Sequence, residues 1–256
     1  MSEPIAEPAR VWSIDLSQHG RALRDACELL GADERERART TISRSAAEDF
    51  TLARAALRRV LGSSLGVPAA EVKLVTGLLG KPELSRPRGL SFNLSHGGGL
   101  AVIAIGRAAA LGVDVEPVPA DARRGLAVAE RFFAPEEVAT LQTLERDRLG
   151  AALARLWSRK EAYVKALGIG LRVPLSSFAL SAVGPPRVLR CAPGDPVAPE
   201  RWRFSTLILD GGLQGTLAAV GAALPERIAP IPLSHGLEHL RPAPFGDRLE
   251  GHLAVT

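Results

Sequence analysis

The chain has 256 residues, 46% hydrophobic and 23% charged, a soluble globular balance with enough length for one large domain or two small ones. No stretch of about 18 uninterrupted apolar residues is present, since the longest candidate, Leu100 to Val115, is broken by Arg107; a membrane-spanning helix is therefore not expected. The net charge of +4 and pI near 9.6 favour an anionic partner. With aromatics at only 4%, the basic and aromatic stripe of a nucleic-acid binder is missing, and an acidic protein or a phosphorylated small molecule fits as well.

The opening MSEPIAEPAR carries acids and prolines where a signal peptide would need a basic and then an apolar region, so a cytoplasmic protein is expected. Val11 to Leu16 alternates as a half-buried strand does. After Gly31, Asp33 with Glu36 suggests a cap for a short arginine-rich helix. Ser45 with Glu48 suggests a second cap, for a helix running to about Leu61. Arg54 and Arg58 lie along the edge of that helix, and Arg35, Arg37, Arg39 and Arg44 precede it. The set reads either as a solvated surface or as a mouth for phosphates. Cys27 and Cys191 are too few for a disulfide framework and are expected as small core residues.

From Glu71 the texture turns to strands: EVKLVT, the turn-like GKPEL at Gly80 to Leu84, then Leu90–His96, Gly99–Gly106 and Ala110–Glu116. The chain pauses at Pro117 to Asp121. Helices are predicted over Arg123–Phe133, from Pro135 with Glu136 and Glu137 in the first turn, and over about Ala151–Leu167 with Gly168 as the stop. Strand texture returns at Ser177–Val183, Arg187–Cys191, Trp202–Leu209 and Gln214–Ala222. Helices followed by a meander, twice over, predict an α+β fold of two similar halves, each with helices packed on antiparallel strands. The halves would span residues 1–117 and 118–224, followed by a Pro-rich tail, 225–256, in which no regular element is expected. Within the tail, His235, Glu238 and His239 have an inverted zinc-protease spacing, but Pro232 and Gly236 do not suit the long helix such a site needs.

Three stretches carry chemistry. In GVDVE, Asp114 and Glu116 project from one face of a strand, where two like charges repel unless a cation lies between them; Mg²⁺ suits such hard oxygens, and solvation at a strand end is the competing reading. In FNLSHGGG, Ser95 and His96 with three glycines form either a phosphate cradle or a tight hairpin. In LWSRKEAYVKALGIGL, the apolar stripe of Leu153, Leu156, Trp157, Val164 and Leu167 has Lys160 at its middle and Glu161 and Lys165 along its edge. Snorkelling stems and a Glu161–Lys165 pair account for these charges as well as a site does.

Taken in order, GKPEL, FNLSHGG, GVDVE, RFFAPEE and LWSRKEAYVKALGIGL resemble the 4′-phosphopantetheinyl transferases, specifically the long pseudodimeric type. The resemblance spans about Arg37 to Leu171. It implies transfer of the phosphopantetheine arm of coenzyme A to a serine of an apo acyl or peptidyl carrier protein, with release of adenosine 3′,5′-bisphosphate. By the same resemblance Asp114, Glu116 and Glu161 would coordinate Mg²⁺ with the pyrophosphate. Lys165 would neutralise that pyrophosphate, and Glu116 or Glu161 would take the serine proton. Ser95 and His96 would hold phosphates, Lys81 and Pro82 would lie beside the adenine and 3′-phosphate, and Arg37 and Arg44 would contact the 3′-phosphate. Asp49 stands where the family usually has a basic residue. A monomer is implied. The Pro117 to Phe133 region, together with the exposed basic surface, is the candidate carrier dock, since carrier proteins are acidic near their serine. A Mg²⁺-dependent phosphohydrolase and a basic nucleic-acid-binding protein are the competing functional classes.

Overall fold

The computed structural model describes residues 8–17, 21–77, 80–86, 89–224 and 228–231. They group into two units, one built from residues up to Ser13 together with Leu74–Pro230, the other centred on Ile14–Lys73. The strand Ala110–Pro117 runs up to the expected seam and is paired with a strand from beyond it.

The Ile14–Lys73 unit is helical: α1 (Arg21–Leu29), α2 (Ala32–Thr40) and α3 (Arg44–Leu65), then a 3₁₀ turn at Ala69–Glu71. The N-terminal signals sit a step earlier than Asp33 and Ser45. Glu34 accepts the Gly31 N–H at 2.8 Å, and Ser43 caps α3 by accepting from the Ala46 amide at 3.3 Å. A side chain three positions from its amide partner is the geometry an N-cap requires. Arg54 and Arg58 are buried rather than solvated, because Glu34 faces both: Arg58 Nε lies 2.6 Å from Oε2 and Arg54 Nε 3.1 Å from Oε1. Arg58 also donates to the Val72 carbonyl at 3.0 Å. Cys27, expected in the core, is exposed on α1, where its neighbour Ala26 faces inward instead.

The other unit holds the strands. β2 (Leu74–Thr76) and β3 (Pro82–Leu84) form a short antiparallel pair, so part of the turn-like GKPEL is strand. β1 (Arg10–Asp15), β4 (Ser91–Gly97), β5 (Leu100–Gly106) and β11 (Ile228–Ile231) make a sheet in the order β11-β1-β5-β4. Residues 228–231 thus form a strand in the stretch expected to lack regular structure, because an edge strand needs pairing on one side only. The weighed zinc residues, His235, Glu238 and His239, lie outside the described residues. β6 (Ala110–Pro117), β9 (Arg203–Ile208) and β10 (Leu213–Val220) make a second sheet, β6-β10-β9. Its β6 face of Leu111, Val113 and Val115 packs with Val11, Val102 and Leu217. β7 (Ala179–Leu180) and β8 (Val188–Arg190) form a further pair.

The opposite face of β6 meets α6 (Arg146–Leu167), against which α4 (Ala122–Phe132) and α5 (Pro135–Gln142) pack. α6 begins five residues before the expected Ala151, since its polar first turn and Gly150 carry no apolar signal. What lets it lie on the strand is Gly112. A Cβ there would collide with the carbonyl oxygen of Ala162 and stand 2.5 Å from the Ala166 amide. The helix backbone therefore rests on the strand itself, fastened by Ser158 and Thr216 hydroxyls 2.7 Å apart.

Lys160, the charge at the middle of the apolar stripe, is fully buried and structural. Its ammonium lies 2.7 Å from both Glu137 oxygens and 3.0 Å from the Phe178 carbonyl, over the Phe178 ring at 4.1 Å. Glu137 in turn accepts the Ala134 and Leu180 amides at 2.9 and 2.7 Å, so every charge is answered.

Two outcomes are expected. Gly112→Ala overpacks this interface and lowers unfolding free energy by ~2–3 kcal/mol, and Lys160→Met strands a buried carboxylate at a cost of ~3–5 kcal/mol; urea titration of each variant measures both.

Candidate active site

On β6 the side chains alternate, so Gly112, Asp114 and Glu116 share the face that α6 covers. Across the ladder they stand opposite Ala218, Thr216 and Gln214 of β10. Asp114 is 2% exposed, which rules out the reading of a merely solvated strand end. Its counter-charge comes from α6: Lys165 Nζ is 2.5 Å from Asp114 Oδ1. The helix charges are thus not an internal Glu161–Lys165 couple, since Lys165 turns to the strand.

Ser95 closes the triangle. Its hydroxyl donates to Asp114 Oδ1 at 2.8 Å and accepts from Lys165 Nζ at 3.1 Å and from the Val115 amide at 3.4 Å. One donor and two acceptor sites are thereby filled, the full capacity of a hydroxyl. Two residues earlier on β4, Asn93 Oδ1 accepts the Val113 amide at 2.9 Å. Two β4 side chains thus answer two β6 amides, tying the edge of one sheet to the edge of the other where Asp114 sits. This role of Asn93 was not anticipated, although its spacing of two from Ser95 is visible in FNLS.

His96 is exposed and follows Ser95 on the strand, so it points to the opposite face. The glycines after it are accounted for by the hairpin: Gly98 and Gly99 have φ of 59° and 79°, a turn that two consecutive left-handed residues make. Lys81 reaches α6 as well, donating to the Lys165 carbonyl at 2.8 Å, with Pro82 next to it opening β3. Burial lowers the Lys81 pKa, and its charge at a helix C-terminus is favourable. Arg37 and Arg44 belong to the helical unit. Arg37 lies over the Phe50 ring at 5.0 Å, and Arg44 pairs with Glu48 at 2.9 Å on the surface.

The electrostatics concentrate negative charge. Burial first, then repulsion from Asp114, raises both Glu116 and Glu161; Glu161 adds to the effect on Glu116, which reaches about 7. Asp114 Oδ2 is buried with no hydrogen-bond partner. Three acids around one amine, one of them with an orphaned oxygen, are suited to a hard divalent cation. Among the described residues no three acids, histidines or cysteines already converge as ligands, and Lys165 holds the inner oxygen of Asp114.

Fold and site together define an α+β protein with a helix laid on a strand, bringing carboxylates and an amine to one buried edge. Residues 110–218 match the model of the 4′-phosphopantetheinyl transferase superfamily. The chain is 32% identical over 222 residues to the 4′-phosphopantetheinyl transferase HetI of Nostoc sp., covering 85% of this chain and 90% of that one. It is 37% identical over 145 residues to the 4′-phosphopantetheinyl transferase psf-1 of Bacillus pumilus, covering 53% and 60%. With the 4′-phosphopantetheinyl transferase Sfp of Bacillus subtilis it shares 27% over 151 residues, 59% of this chain and 66% of that one. The chain belongs to the 4′-phosphopantetheinyl transferase superfamily.

The raised Glu116 has a thermodynamic consequence. The folded protein keeps this proton to about pH 7, whereas the ordinary carboxyl value is 4.5. The folded state therefore binds more protons in that interval, and the Glu116 contribution to stability falls as pH rises through it. Glu116→Gln is expected to leave the melting temperature near wild type at about pH 5 and to raise it at about pH 8; thermal melts across the range test this.

Proposed function

We propose that this chain transfers the 4′-phosphopantetheine arm of coenzyme A to a serine hydroxyl of an apo carrier protein in a Mg²⁺-dependent reaction. The observation that carries the reading is the Asp114–Lys165–Ser95 cluster with Glu116 and Glu161 at its border, in a chain of this family. Asp114, Glu116 and Glu161 would hold the cation, and its chemistry is charge neutralisation on the pyrophosphate and on the leaving bisphosphate. Glu116, kept partly protonated near neutrality, is suited to take the serine proton as the serine Oγ–P bond forms and the bridging P–O bond breaks. Adenosine 3′,5′-bisphosphate departs, and Lys165 is the amine placed to stabilise it. Lys81, Pro82, Ser95 and His96 are proposed along the coenzyme A path, and Arg37 and Arg44 as contacts to its 3′-phosphate.

The carrier dock is proposed on α4 in the Pro117–Phe133 region. Arg124, Val128, Arg131 and Phe132 are exposed on it at helical spacing, a basic and apolar face suited to an acidic helix. Among the described residues no helix is long and apolar enough to cross a membrane. A cytoplasmic monomer acting without nucleic acid completes the proposal.

A two-fold internal repeat is part of the same reading, and element order supports it. β1, α1 to α3, the β2–β3 pair and the β4–β5 hairpin are matched by β6, α4 to α6, the β7–β8 pair and the β9–β10 hairpin. In each set the last strand pairs back on the first. α3 and α6 each have 22 residues and end at a left-handed glycine, Gly66 or Gly168. Both hairpins turn through a left-handed Gly-Gly pair, Gly98–Gly99 and Gly211–Gly212. Arg58 and Lys160 hold the same position in their helices. Each is buried against a glutamate, Glu34 or Glu137, that also accepts the amide three residues before it. In this reading the two sets of elements meet at Arg107–Ala109, between β5 and β6.

Incubation with coenzyme A, Mg²⁺ and apo carrier proteins should give the mass gain of one phosphopantetheine arm by intact-mass spectrometry. No gain on any of several carriers, with folded enzyme, would overturn the proposal. Asp114→Ala and Glu161→Ala are expected to lower transfer by ~100-fold or more while the chain stays folded by circular dichroism; full activity in either removes the metal assignment.

A further inference from the structure

The pair at the centre of the site is asymmetric. The Asp114 side chain is 3% exposed and the Lys165 side chain 29%. The carboxylate is set in a strand that is paired along its whole length, so it cannot follow a departing partner. The amine ends a flexible stem, and its own backbone is held in place independently, by Lys81 on the Lys165 carbonyl at 2.8 Å. Lys165 can therefore swing without unwinding the last turn of α6. Asp114 cannot stay unpaired, because a buried carboxylate without a counter-charge is strongly unfavourable.

We infer that Lys165 is the stand-in counter-ion of Asp114, and that a divalent cation and the Lys165 ammonium compete for this carboxylate. Lys165 is released toward a phosphate-bearing ligand when such a cation is taken up. Oδ1 is occupied by Lys165 and Ser95, while Oδ2 is buried without a hydrogen-bond partner. A divalent ion on either oxygen would stand within a few ångströms of Nζ, a repulsion that low-dielectric surroundings do not screen. The exchange keeps Asp114 paired throughout, and it makes the amine available only when the site is loaded. A pyrophosphate gives the released ammonium a new anionic partner, so cation and pyrophosphate uptake become mutually reinforcing through Lys165.

This inference rests on the proposed metal-assisted transfer, and its test reads metal affinity instead of turnover. Mn²⁺ binding to the full chain is followed by electron paramagnetic resonance of the free ion, without and with coenzyme A. Lys165→Met is expected to bind Mn²⁺ ~10-fold or more tightly than wild type when coenzyme A is absent. Coenzyme A should tighten Mn²⁺ binding in wild type far more than in Lys165→Met. Asp114→Asn is the control for the site itself. If Asp114→Asn binds Mn²⁺ as wild type does, the metal site is wrong and the inference falls with it. If Asp114→Asn loses Mn²⁺ but Lys165→Met binds no tighter than wild type, the competition alone is overturned. Should Lys165→Met fold poorly, its melting temperature supplies the same answer: Mn²⁺ must raise it by more than it raises wild type, and an equal or smaller rise refutes the exchange.

Discussion

The site depends on a helix backbone lying directly on a strand. Side chains normally keep a helix and a sheet well apart, and at Gly112 that spacing is given up. With no Cβ between them, the α6 backbone at Ala162 and Ala166 touches β6, and residues one turn to either side fall within reach of the strand's next outward positions. Lys165 meets Asp114 for that reason, and Ser158 meets Thr216 on the adjacent strand. Longer side chains on the same face would have held the charges apart with water between them. The pair would then be a surface ion pair of little worth.

Close approach creates the problem that the charged residues solve. It buries Asp114, and a buried carboxylate must be paired. Lys165 supplies the charge, Ser95 adds a hydrogen bond, and the junction of two sheets provides the enclosure. That junction is made by side chains. Asn93 and Ser95 answer the Val113 and Val115 amides, which lie on the edge of β6 away from β10, so the sheets meet without a continuous backbone ladder. Glu116 and Glu161 remain at the border with raised affinity for protons, which is the electrostatic signature of negative charge in excess of its resident counter-ions.

Much of this frame was legible in the chain. A spacing of two put Asp114 and Glu116 on one strand face, Pro135 marked the start of a helix, and Gly168 marked the end of another. Each is a local rule that acts within a few residues. The pairings that were not legible share a different origin. Ser95 belongs with Lys165, seventy positions away, and Lys160 with Glu137, and no periodicity connects such partners. Lys160 looked like the most awkward charge of α6 because its stripe is apolar, yet Glu137 and two aromatic rings lie under that stripe. Arg54 and Arg58 looked like surface for the same reason, and Glu34 buries them. Long-range pairing, not local propensity, decides where such side chains go.

The same distinction bears on the proposed internal repeat, which leaves little trace in the residues. What recurs is a physical solution: a glutamate in the first turn of a middle helix, closing its own cap and neutralising a buried cation on the next, longer helix. Arginine performs this in one set of elements and lysine in the other, so position is kept and identity is not. The guanidinium of Arg58 spreads its donors to Glu34 and to the Val72 carbonyl, whereas the compact ammonium of Lys160 sits between aromatic rings and a single carboxylate. Beyond that shared frame the two sets diverge. β6 carries Asp114 and Glu116, while the corresponding strand β1 carries Trp12 and Ile14 buried in its core. On the proposed repeat the carboxylate face is thus presented once, on the strand that α6 covers.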